Sequence, residues 1–101
     1  MRIPKQSDYP KELVIGENVW RVKFRRKMDP GLLGLCDPST YTISIAQKQN
    51  PMQTLYTFVH EVLHAIEFEN DCIIGEKAVL VFEKGITDFI LENWPAFGRD
   101  R

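Results

Sequence analysis

The chain's two histidines, His60 and His64, stand four residues apart, with Glu61 directly after the first. On an α-helix that spacing puts them about 6 Å apart along the axis and about 40° apart around it, so both imidazoles reach one metal ion. Glu61 then sits at the edge of the metal, where its carboxylate takes a proton from an activated water and returns it to a leaving amine. The chemistry to expect of this trio is hydrolysis assisted by Zn2+, with His60 and His64 as ligands and Glu61 as general base. The competing view makes the three residues the polar side of an amphipathic helix, roughly opposite Leu55, Val62 and Ile66. Chance produces this pattern on the order of once in several hundred sequences of such composition, which favours the metal.

A catalytic zinc site needs a third protein ligand and keeps one position open. With no third histidine, that ligand is acidic or a cysteine. Glu83 is the expected one, because helical phase sets it among Val79, Ile86 and Ile90, where a lone carboxylate is costly unless paired or metal-bound. Glu76, two turns earlier on nearly the same side, is the substitute, although at a helix start a Glu is commonly a dipole-complementing or capping residue. Glu67 and Glu69 read as solvated. Asp88 points away from the apolar face of its helix, with a contact to a ligating histidine left open.

Two helices must position these groups. Asn50-Pro51-Met52-Gln53 combines an N-cap, a proline at the first helical position and a capping-box Gln, so the first helix starts there and runs to about Phe68. Leu55, Phe58, Val59, Val62, Leu63 and Ile66 follow at helical spacing. The second helix is expected from about Gly75 to Asn93, with Val79, Phe82, Ile86, Phe89 and Ile90 as its core face and Trp94-Pro95 ending it. Gly85 in its interior costs about 1 kcal/mol relative to Ala, which suggests a close backbone approach against the first helix or a strand.

Upstream, Leu13-Val14-Ile15 and Val19 to Phe24 flank Gly16-Glu17-Asn18 and read as a hairpin; Leu32 to Cys36 and Tyr41 to Ala46 flank Asp37-Pro38-Ser39-Thr40 and read as a second, after the Asp29-Pro30-Gly31 turn. Tyr41, Ile43 and Ile45 share a face, and Thr42 and Ser44 on the other suggest a half-covered strand at a sheet edge. The fold class is therefore α+β: a small antiparallel or mixed sheet of three to four strands followed by two packed helices.

At 101 residues and 44% hydrophobic content the chain is sized for a single domain over 1–101, with 1–11 a loose lead-in and 95–101 a tail. A net charge of -1 gives no basic field for nucleic acid, and the Arg21 to Lys27 run alternates with Val22 and Phe24 like the solvated face of a strand. No run has signal-peptide or membrane-spanning character, and two distant cysteines, Cys36 and Cys72, read as ordinary buried thiols in a reducing compartment, so a cytoplasmic protein is expected.

Beyond the residues themselves, the chain resembles the gluzincin peptidases through HExxH and a Glu nineteen residues after His64. More closely, Gly34-Leu35-Cys36-Asp37, Thr42-Ile43-Ser44-Ile45, Thr57 to Glu67 and Glu83 resemble the small metallopeptidase domains of the ImmA/IrrE type, many of them phage-encoded, over roughly residues 12 to 93. The resemblance implies a minimal zincin-like core with His60, His64 and Glu83 on zinc, Glu61 as base and the 41–46 strand aligning an extended peptide. It implies a peptide or protein substrate, often a regulatory protein, and leaves the oligomeric state and any partner requirement open. The alanine the family carries three residues after the third ligand is Ile86 here, and without a further histidine the oxyanion falls to Tyr41, Tyr56 or the metal. Two alternatives stand beside this reading. One is a zinc-binding or zincin-fold regulatory module without catalysis, its site closed by Glu76 or Glu67; the other is a deformylase-like hydrolase with Cys36 as ligand.

Overall fold

The computed structural model describes residues 3–98, with side chains to Asn93. A turn of 3-10 helix, Gln6–Asp8, precedes four strands, β1 (Glu12–Ile15), β2 (Asn18–Arg25), β3 (Gly34–Asp37) and β4 (Thr42–Ala46), and two helices, α1 (Pro51–Glu69) and α2 (Glu76–Gly98). This is the α+β arrangement expected from the sequence.

Both hairpins form: β1 pairs antiparallel with β2, Leu13 opposite Trp20, and β3 pairs antiparallel with β4, Cys36 opposite Ile43. The hairpins join in an order their sequence does not announce, β1-β2-β4-β3, with β4 parallel to β2. That corrects the placing of the 41–46 strand at an edge. β4 is central, and Thr42 and Ser44 are buried, Ser44 accepting a 2.9 Å hydrogen bond from Arg25 Nε. The free edge next to β4 belongs to β3.

α1 starts as expected, with Asn50 Oδ1 accepting from the backbone N–H of Gln53 at 2.8 Å and Pro51 behind it. It lies between the sheet and α2. Phe58, Val62 and Ala65 meet Trp20, Ile43 and Ile45 on the sheet, whereas Leu55, Val59 and Leu63 meet Val79 and Leu91 of α2. Ile66, expected in the core, is 41% exposed, its place against the sheet taken by Ala65. The end of α1 is tied to the first hairpin by Glu69, which accepts from Trp20 Nε1 at 2.9 Å and from Asn18 Nδ2. Glu69 is therefore a structural acceptor, not the solvated residue expected: a fully buried indole needs a partner for its N–H, and the helix end supplies it.

The phase of α2 differs from expectation. Val79, Thr87 and Leu91 are buried against α1, while Phe82, Ile86 and Phe89 are exposed. The expected close approach at Gly85 is not made either, since a Cβ there would meet nothing within 4 Å. The helix also continues past Pro95 to Gly98. Proline biases its predecessor away from helix and forfeits one backbone hydrogen bond, a cost that a last turn accommodates. Of the expected tail only 99–101 lie outside the described residues, as do 1–2 of the lead-in. The rest of that lead-in is not loose, for the Tyr9 ring packs edge-on against Phe24 and Phe58.

Candidate metal centre

α1 forms the floor of a cleft between the edge strand β3 and α2. Gly34, Leu35 and Cys36 line it on one side with His60, Glu61 and His64 below, and Leu33, Leu80 and Glu83 border an adjoining recess of about 320 Å³. The i, i+4 geometry brings the two imidazoles together, Nε2 to Nε2 at 3.1 Å.

The carboxylate that joins them is Glu76, in the first turn of α2: one oxygen is 3.2 Å from His60 Nε2 and the other 3.6 Å from His64 Nε2. One donor atom from each of the three lies within 4.8 Å of the others. Glu83, expected in that position, does meet His60, but at Nδ1, 2.8 Å away and on the far side of the ring. The reasoning that a carboxylate on this helix face needs a partner holds. What helical phase could not supply is which turn of α2 faces the Nε2 atoms, and that is the first.

The second imidazole is held in the same way. His64 Nδ1 is 2.7 Å from Glu67 Oε1, and Glu67 Oε2 accepts from the backbone N–H groups of Ile74 at 2.7 Å and Gly75 at 3.3 Å. Glu67 thus links His64 to the backbone that launches α2 and Glu76, which corrects its reading as solvated. Its position three residues after His64 on one helix face was a usable signal. Hydrogen bonds from His64 and from those amides hold its carboxyl below the usual carboxylate range.

An ionised carboxylate only accepts, so Glu83 and Glu67 each draw a proton to the Nδ1 they face, and a neutral imidazole held in that tautomer turns the lone pair of its Nε2 to the cleft. In that tautomer two imidazole nitrogens and the Glu76 carboxylate converge as three acceptors, an arrangement that is repulsive alone and attractive around a cation. Ligand atoms about 2.0–2.1 Å from a tetrahedral ion stand about 3.3 Å apart; the two imidazole nitrogens are 3.1 Å apart, and Glu76 presents a different oxygen to each, at 3.2 Å and 3.6 Å. The donor set therefore fits a divalent metal ion.

No protein family, no curated protein and no solved structure matches this chain. The site's own chemistry carries the functional reading.

Glu61 is 7% exposed and faces β3. Burial pushes its carboxyl above the usual range, with the two histidines opposing and Glu76 and Glu83 adding to the rise. Its closeness to β3 depends on Gly34, where a Cβ would stand 2.6 Å from Thr57 Cγ2 and 2.9 Å from Glu61 Oε2. Thr57 is buried and its Oγ1 donates to Gln49 at 2.9 Å, so neither neighbour yields easily. Gly34→Ala is expected to cost about 1–3 kcal/mol of stability, read by urea unfolding, because overpacking displaces β3 or Glu61. Unchanged stability would show that the strand and helix can part at no cost.

Cys36 lines the cleft half-buried, and its thiol is pushed up to about 12 by burial and by the carboxylates of Glu61, Asp37 and Glu67. It lies outside the convergent donor group. Cys72, expected buried, is exposed in the loop before α2. The tyrosines expected near the oxyanion are engaged elsewhere: Tyr41 packs edge-on against Trp20 and Phe68, and Tyr56 donates to Asp88 at 3.1 Å. Asp88 also pairs with Lys84 and contacts neither histidine. Arg21 and Lys23 are exposed on β2, as a solvated strand face requires, and no helix among the described residues is long and apolar enough to cross a membrane.

Proposed function

We propose that this chain is a zinc-dependent peptidase, with His60, His64 and Glu76 as the zinc ligands and Glu61 as the general base. The observation that carries the proposal is the convergence of three lone-pair donors whose supporting nitrogens are each held by a carboxylate, Glu83 behind His60 and Glu67 behind His64. A bound zinc supplies Lewis acidity, activating a water and polarising a carbonyl oxygen.

The protein's own groups do the rest. Glu61, beside His60 and largely withdrawn from solvent, accepts a proton from the attacking water and passes it to the amine that leaves. Burial, which raises its carboxyl above the usual range, strengthens it as a proton acceptor. β3 offers backbone N–H and C=O groups along its unpaired edge, the geometry in which an extended peptide adds as a further strand. This moves the substrate-aligning role from the 41–46 strand, which is central, to Gly34–Asp37.

Three protein donors leave one position open, as catalysis requires and a structural zinc site does not. Of the two acids that would have closed the site in the non-catalytic reading, Glu76 already serves as the third ligand and Glu67 is committed to His64 Nδ1 and two amides. The deformylase-like reading needs Cys36 in the ligand set, and its sulfur is outside the donor cluster. The test is hydrolysis of a mixture of unstructured peptides, followed by mass spectrometry before and after chelation. Cleavage that stops with chelator and returns on adding zinc is the expected result; cleavage indifferent to chelator, or none by zinc-loaded protein, rejects the reading.

A further inference from the structure

α2 carries an apolar stripe that is largely exposed to solvent. Val81, Phe82, Ile86 and Phe89 are 63%, 47%, 39% and 56% exposed, and Ala78 and Gly85 lie among them at spacings of one to four residues without an intervening charge on that face. This is the more regular apolar periodicity of the helix, yet α2 packs on α1 through Val79, Thr87 and Leu91. Gly85 adds a second observation. A glycine in a helix interior costs about 1 kcal/mol relative to Ala, and among the described residues no neighbour approaches closely enough to require it.

We propose that this face is the contact of a homodimer in which two α2 helices pair antiparallel about a two-fold axis at Gly85. The stripe is self-complementary in that register. Phe89 lies over the partner's Val81, and the glycines let the helix axes approach at the crossing. Lys77, exposed at one end, falls beside the partner's Glu92, exposed at the other, so the two-fold makes that opposite-charge contact twice. An isologous interface demands this kind of match, whereas an unlike partner would not.

The size of the face sets the strength. Its exposed apolar side chains offer roughly 400 Å² per copy, and with the charged rim the pair buries on the order of 1,000 Å², the low end for a specific interface. The dimer is therefore weak and concentration-dependent. It is independent of the peptidase reading, since its readout is mass alone.

The experiment is sedimentation equilibrium of the full chain from low micromolar to several hundred micromolar. Wild type is expected to move from 11.8 kDa toward twice that mass. Phe82→Asp is expected to stay at the monomer mass with an unchanged melting temperature, because Phe82 is already half exposed. Lys77→Glu and Glu92→Lys should each weaken association several-fold, and the double variant should restore it. A wild type that remains at the monomer mass overturns the proposal. So does a dimer indifferent to Phe82→Asp, and failure of the charge swap to restore association overturns the antiparallel register.

Discussion

Glu61→Gln is expected to lower peptide hydrolysis by about 100- to 10,000-fold while leaving metal binding intact, the range associated with losing a general base. The substitution is nearly isosteric, and Glu61 contributes no atom to the convergent donor group, so the cradle of His60, His64 and Glu76 is retained. Glutamine cannot take up the proton from the attacking water. It also removes a buried carboxylate that burial disfavours, with Glu76 and Glu83 adding and the two histidines opposing, so the metal-free variant is expected to be at least as stable as metal-free wild type. Turnover and zinc content of the loaded protein, and urea unfolding of the metal-free protein, check the three expectations. Retained turnover would remove Glu61 from the chemistry, whatever the metal does.

The second large effect separates Glu76 from Glu83. Glu76→Ala removes a carboxylate that bridges toward both Nε2 atoms, and zinc affinity is expected to fall by more than about 100-fold, beyond the effect of a supporting residue. Glu83→Gln keeps an oxygen that accepts from His60 Nδ1 but loses its charge, and the expected fall is about 10- to 100-fold. Competition against a chromophoric zinc chelator reads both. The Glu76 side chain is 61% exposed, so its truncation should leave unfolding of the metal-free protein unchanged. If the order were reversed, with Glu83→Gln the more damaging, the ligand would be Glu83 and the Nδ1 contact would give way when metal enters.

The parts of this molecule that were legible beforehand are the ones written in short-range chemistry. Asn50-Pro51 starts α1 because an N-cap oxygen and a proline without an N–H solve the same local problem, and Gly16 and Gly31 take the positive φ their turns require. His60, Glu61 and His64 were legible because helix geometry alone brings them together. The strand order was not: β2 and β4 pair in parallel across two intervening turns, and nothing in Thr42 or Ser44 says that a neighbour covers them. Nor was the rotation of α2. Hydrophobic periodicity identifies an apolar face without naming its partner, and in α2 the face with the cleaner pattern is turned away from α1. Glu67 and Glu69 look alike in sequence as acids near a helix end. Each acquires its role from a distant donor, Glu69 from Trp20 and Asn18, Glu67 from His64 and the amides of Ile74 and Gly75.

Whether His60, His64 and Glu76 hold a metal is read from zinc per chain after purification without added metal, in wild type and His64→Ala. About one zinc is expected in wild type and none in His64→Ala, because two remaining donors do not hold the ion. A wild type that carries no zinc and binds none on titration would rule the metal site out, and the two imidazoles and Glu76 would then be no more than a hydrogen-bonded cluster.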